Sequence, residues 1–206
     1  MRERGWHDAI AATRSDRVVS ALRNLEEGHK RFRAGKPQAQ SYSQEVLRKI
    51  ATIQRPSAAV IACSDSRVAP EIIFDQPLGG IFASRVPGNV ASDSAKWMLE
   101  IAVTELKVPL VMVLGHTGCL AVGQLVDGKI GGAGGGLRLD VQKAVHRARM
   151  GGNEDIYRRA VIENVLITLE NLKRDSFAVQ KAIAAGELGL VGAFYDMKTG
   201  EVHLIE

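Results

Sequence analysis

Residues 58–67 read Ala58-Ala59-Val60-Ile61-Ala62-Cys63-Ser64-Asp65-Ser66-Arg67, a short apolar run that stops abruptly in polar side chains. An apolar run of this length, ended by polar residues, predicts a strand of a parallel sheet buried on both faces. Functional groups in open α/β sheets sit just beyond the carboxyl ends of such strands. The arrangement recurs further along the chain. Leu110 to Leu114 is again apolar and leads into Gly115, His116, Thr117, Gly118 and Cys119. The chain has 2 cysteines, and each lies just past one of these strands. If the two strands are neighbours, Cys63, His116 and Cys119 converge on one point with Asp65 beside them.

Two thiolates and an imidazole are ligands that zinc prefers in a tetrahedral site. Water or the Asp65 carboxylate would fill the fourth position. Two other readings of the same residues stand beside this one. The cysteines could be ordinary buried thiols, with His116 a hydrogen-bonded loop residue. They could also form a disulfide, which needs an oxidising compartment that nothing in the sequence indicates.

Cys63-Ser64-Asp65-Ser66-Arg67 followed by His116-Thr117-Gly118-Cys119 resembles the zinc signature of the β-class carbonic anhydrases. The resemblance extends from Ala21-Leu22 through Gly28 to Lys36, and from Phe82 through Arg85 to Asn89. It continues in Glu163-Asn164-Val165 and in Val191 to Asp196. It implies zinc (Zn2+) held by Cys63, His116 and Cys119, and the reversible hydration of carbon dioxide to bicarbonate by a zinc-bound hydroxide. It also implies two states of Asp65. Held by Arg67, the carboxylate stays off the metal and orients the nucleophile, so Asp65 and Arg67 are the catalytic pair. Swung onto zinc, Asp65 becomes a fourth ligand and closes the site. By the same resemblance Gln54 hydrogen-bonds substrate and Phe82 walls a small apolar pocket at a dimer interface. The backbone N–H of Leu120 also donates to substrate. Arg85 matches a family arginine whose work, structural or anion-binding, is left open. Some members carry a tryptophan of a regulatory bicarbonate site where Val60 stands here, so that regulation is not expected.

Two residues depart from the pattern. Leu120 stands where the family commonly has glycine, and Pro87 where it has a small residue such as alanine. Both could narrow the pocket, since glycine permits backbone conformations that leucine avoids and proline lacks an N–H. Hydrolysis of carbonyl sulfide or carbon disulfide at the same site is therefore a second expectation. A non-catalytic, zinc-stabilised structural homologue is a third.

A length of 206 residues suits one domain spanning 1–206, with residues 1–35 as an N-terminal helical arm. The chain is 46% hydrophobic and 24% charged, which argues against global disorder. The formal net charge of +4 is mild. The denser basic patch from Lys30 to Lys36 reads as the solvated end of a helix, so no nucleic-acid partner is expected. No apolar stretch approaches a membrane span. Met1 to Asp8 has charges without a following apolar segment, which predicts no secretory signal and a cytoplasmic protein with reduced thiols.

Periodicity and punctuation predict the remaining elements. Helices are expected over 16–33, 43–52, 67–74, 93–107, 120–126, 137–149, 154–174 and 176–185. The first precedes every strand, which makes it a candidate to pack on a partner subunit. Strands are expected at 81–84 and in a terminal hairpin formed by 188–195 and 201–205. Gly123 to Lys129 reads G-x-x-x-x-G-K, but Ile130 follows and no strand leads in, so it is not a phosphate-binding loop. Gly131 to Gly136, rich in glycine, reads as a surface loop. His7, His29, His146 and His203 lack metal-ligand neighbours in sequence. The expected fold is α/β, a mainly parallel central sheet flanked by helices with a C-terminal edge hairpin.

Overall fold

The computed structural model describes residues 3–38, 40, 42–129, 135–152 and 155–205. Six strands form one sheet: β1 (Glu3–Arg4), β2 (Ala58–Ala62), β3 (Ile81–Arg85), β4 (Leu110–His116), β5 (Gly189–Asp196) and β6 (Glu201–Ile205). Their order across the sheet is β1-β6-β5-β4-β2-β3. β3, β2, β4 and β5 run parallel, while β6 turns back antiparallel to β5 and pairs with β1. The strands carrying the two polar motifs are thus direct neighbours, in a register that sets Ala62 opposite Leu114. That register levels Cys63 with the end of β4.

Every residue of β2 and β4 is buried, because helices cover both faces. Ala59, Ile61, Val111 and Val113 pack on one side with apolar residues of helices α5 (Asp93–Thr104), α7 (Gly135–Met150), α8 (Ile156–Asp175) and α9 (Phe177–Ala184). Ala58, Val60, Ala62, Leu110, Met112 and Leu114 pack on the other with α2 (Asp16–Arg33) and α4 (Pro70–Ile73). This alternation is the two-residue period of a strand shared between two cores.

Val18, Ala21, Leu22 and Leu25 of α2 are buried on the chain's own sheet. Gly28 lets α2 approach closely: a Cβ there would overlap the Phe74 carbonyl oxygen. Before α2 lie β1 and α1 (Trp6–Ala11), which the sequence reading did not predict. A two-residue strand carries no periodicity, and its register comes from β6. Helix 67–74 shrinks to α4, because Asp65 accepts the Arg67 N–H (3.0 Å) and holds the chain in a turn. Helix α3 (Gln44–Thr52) is capped by Ser43, α5 by Ser92 and α9 by Ser176. Gly135 and Gly136 open α7 rather than a loop. Residues 131–134 and Glu154, the expected start of α8, lie outside the described residues.

Candidate metal centre

The ends of β2 and β4 bring three ligand types together. Cys63 Sγ, His116 and Cys119 Sγ place their donor atoms within 4.8 Å of one another, all buried. The two sulfurs are 3.9 Å apart. A disulfide requires about 2.05 Å, and both cysteines are free, so that reading is excluded. Two sulfurs at about 2.3 Å from a tetrahedral zinc would lie roughly 3.8 Å from each other, close to what is observed.

The histidine is prepared for a ligand. Its Nδ1 lies 2.9 Å from the Thr117 carbonyl oxygen, so Nδ1 carries the hydrogen and donates. Nε2 is left as a bare lone pair, buried and with no hydrogen-bond partner among the described residues. An orphaned buried nitrogen is costly unless something binds it, and a metal facing two thiols answers that need. Thr117 is itself fixed, its N–H donating to Tyr195 O (3.0 Å) and its Oγ1 accepting from Met197 N (2.9 Å). Gly118, at φ +67°, then turns the chain so that Cys119 opens α6 (Leu120–Val126). Cys63, His116 and Cys119 are therefore positioned to bind a metal ion.

The thiols titrate as a pair. The hydrogen bond between the two sulfurs pulls the Cys63 thiol well below its ordinary value. The same bond, with burial, pushes Cys119 up. Metal uptake must release whatever protons the thiols carry.

Asp65 stands outside this group. Arg67 grips it in a fork, Nε to Oδ1 at 2.9 Å and Nη2 to Oδ2 at 2.7 Å. The guanidinium holds the carboxyl far below the usual carboxylate range. Arg85 reaches from β3 to the same loop, donating to Cys63 O (3.1 Å) and Asp65 O (2.5 Å). Both contacts are to backbone oxygens and brace the Cys63–Asp65 turn. A cavity of about 480 Å³ opens over the loop, lined by Cys63, Asp65, Arg67, Pro87, Leu120 and Gln124. Leu120 is 72% exposed and stands at its mouth.

Two expected site residues are elsewhere in this chain. Gln54 is exposed before β2, at the end of that strand opposite Cys63. Phe82 is half-buried on the edge strand β3 and packs against the core rather than lining the cavity. The sequence reading also missed Gln124. Its signal was its place one helical turn beyond Leu120, on the same face of α6.

Comparison with known proteins bears on this geometry. The carbonic anhydrase family profile matches residues 58–202, which include all three candidate ligands. The chain is 38% identical to "Carbonic anhydrase 2" of Mycobacterium tuberculosis, over 90% of this chain and 92% of that one. It belongs to the β-carbonic anhydrase family. The solved β-carbonic anhydrase CcaA superposes with a TM-score of 0.67 at 28% identity, over 89% of this chain and 86% of that chain. The Coccomyxa β-carbonic anhydrase, solved with acetazolamide, gives 0.66 at 30%, over 77% and 75%. Membership in this family accounts for the parallel sheet with its antiparallel terminal hairpin, and for a buried Cys-His-Cys group at its carboxyl edge.

Proposed function

We propose that this chain is a carbonic anhydrase that uses zinc to interconvert carbon dioxide and bicarbonate. The observation that carries the reading is the bare Nε2 of His116 grouped with two reduced thiols. Soft thiolates with an imidazole favour zinc over hard cations. Zinc bound by Cys63, His116 and Cys119 supplies the Lewis acidity that makes a water acidic.

The chain's own residues do the rest. Asp65 remains ionised throughout the working range, so it accepts a hydrogen bond from the attacking water rather than storing its proton. Arg67 keeps that carboxylate oriented and off the ligand group. The Leu120 N–H, at the start of α6, is available to substrate oxygen, and the proton leaves through water and buffer. Because two thiolates offset a dication's charge, we expect activity to rise towards alkaline pH.

Gln54 and Phe82 lie outside their own chain's cavity. We assign them to the cavity of a second copy, which makes the enzyme a homodimer or larger homo-oligomer. Reduced thiols at 3.9 Å suit a reducing compartment, and we place the protein in the cytoplasm. No helix among the described residues is long and apolar enough to cross a membrane.

The apolar rim of Leu120 and Pro87 favours one second reading, hydrolysis of carbonyl sulfide or carbon disulfide at the same site. Product assays with each gas separate the two. A permanently closed structural homologue is disfavoured, because Asp65 is engaged by Arg67 rather than joined to the three ligands. Zinc analysis with carbon dioxide hydration assays tests the main reading. About one zinc per chain with hydration well above the buffer rate supports it. Zinc without hydration overturns it.

A further inference from the structure

We propose that Asn164 is a positioning residue for the metal centre, acting through the backbone at Gly88 on the Cys63 sulfur. The inference rests on the metal-binding reading above. Asn164 lies on α8 and is fully buried. Its Nδ2 donates to the Gly88 carbonyl oxygen at 2.6 Å. The Gly88 N–H in turn donates to Cys63 Sγ at 3.4 Å. Gly88 sits at φ +70°, ψ +19°, in the left-handed region that suits glycine. With that carbonyl anchored, the rotation of the residue is fixed, and its N–H stays aimed at the sulfur.

The anchor comes from a helix packed on the strand that carries the histidine. α8 approaches β4 so closely that a Cβ on Gly115, next to His116, would come within 2.7 Å of Val165 and 2.9 Å of Val161. The helix that abuts the histidine strand therefore also sets the hydrogen bond to the first cysteine. The Oδ1 of Asn164 is buried without a partner among the described residues. A residue serving stability alone would be better apolar there, since an unpaired buried acceptor is unfavourable. The Nδ2 contact is what the asparagine supplies. An N–H donated to a thiolate draws charge from the sulfur and fixes its direction, and outer contacts of this kind tune metal affinity.

The test uses full-length protein stripped of metal and titrated with cobalt(II). Wild type, Asn164→Leu and Thr168→Val are compared. Thr168 is buried one turn further along α8 and its hydroxyl also lacks a partner, but it makes no contact with Gly88 among the bonds of the described residues. We expect Asn164→Leu to move the sulfur-to-cobalt charge-transfer band to longer wavelength and to weaken cobalt binding about tenfold or more. Thr168→Val should match wild type in both. An unchanged band and affinity in Asn164→Leu overturns the proposal, as does an equal change in Thr168→Val. If Asn164→Leu fails to fold, Asn164→Ala, which removes the donor without adding bulk, is read the same way. Failure of both to fold assigns Asn164 to stability and also overturns it. If wild type takes up no cobalt, the metal reading itself fails, which is a distinct result.

Discussion

Asp65 shows how much a single contact decides. Its carboxylate could complete the ligand set, and Arg67 instead holds it in a two-point grip beside the cavity. Asp65→Asn keeps the shape but weakens the acceptor. We expect zinc content to stay unchanged while kcat for carbon dioxide hydration falls about 100-fold or more, as expected for loss of a group that orients the attacking water. Equal activity of this variant and wild type, measured by stopped flow, would remove Asp65 from the mechanism. Cys63→Ser should lose the metal and the activity together, read by metal analysis of the purified protein. At this scale the site was largely legible in sequence, because metal-ligand chemistry resides in residue type and in the ends of apolar runs. The tautomer of His116 was not, since it depends on the Thr117 carbonyl, which only the folded turn presents. Gln54, nine positions before Cys63 in sequence, lies at the far end of the intervening strand β2, a separation that only the fold displays.

Elements are joined by buried polar contacts that periodicity does not reveal. His29 of α2 donates from Nδ1 to Ile73 O (3.1 Å) and accepts at Nε2 from Val202 N (3.0 Å), tying α2 to α4 and β6. Both bonds need the neutral ring, and burial lowers its pKa below the ordinary 6.5. The unfolded chain therefore takes up this proton more readily than the folded one. The contribution of His29 is fully present above about pH 6.5 and is lost as pH falls from there towards the depressed folded value. Thermal denaturation across that range should show Tm falling with acid in wild type and a shallower fall in His29→Asn. Parallel curves would contradict this. Gly28 marks a second junction. With the Phe74 carbonyl in the space a Cβ would take, Gly28→Ala should destabilise by about 1–3 kcal/mol or more, measured by urea denaturation. The helices themselves were readable from spacing and caps. β1 and the shortened α4 were not, because one depends on a partner strand and the other on a side chain gripping its own backbone.

For the molecule as a whole, the decisive feature is that β2 and β4 lie side by side and end together, so residues 56 positions apart share one buried point. Parallel runs of apolar residues ending in ligands made that juxtaposition readable before any coordinates. The arm's burial on its own sheet was not readable, since an amphipathic helix does not state which surface it will cover. On the proposed assignment of Gln54 and Phe82 to the cavity of a second copy, activity belongs to an assembly. Gln54→Ala should lower hydration activity although the residue lies outside its own chain's cavity, and a variant that sediments as a monomer should be nearly inactive. The most direct single measurement is stopped-flow carbon dioxide hydration from mildly acidic to alkaline pH, on protein of known zinc content. We expect near-stoichiometric zinc and a rate that climbs with pH. Bound zinc with a rate no faster than buffer at every pH would contradict the assignment of this site to carbon dioxide hydration.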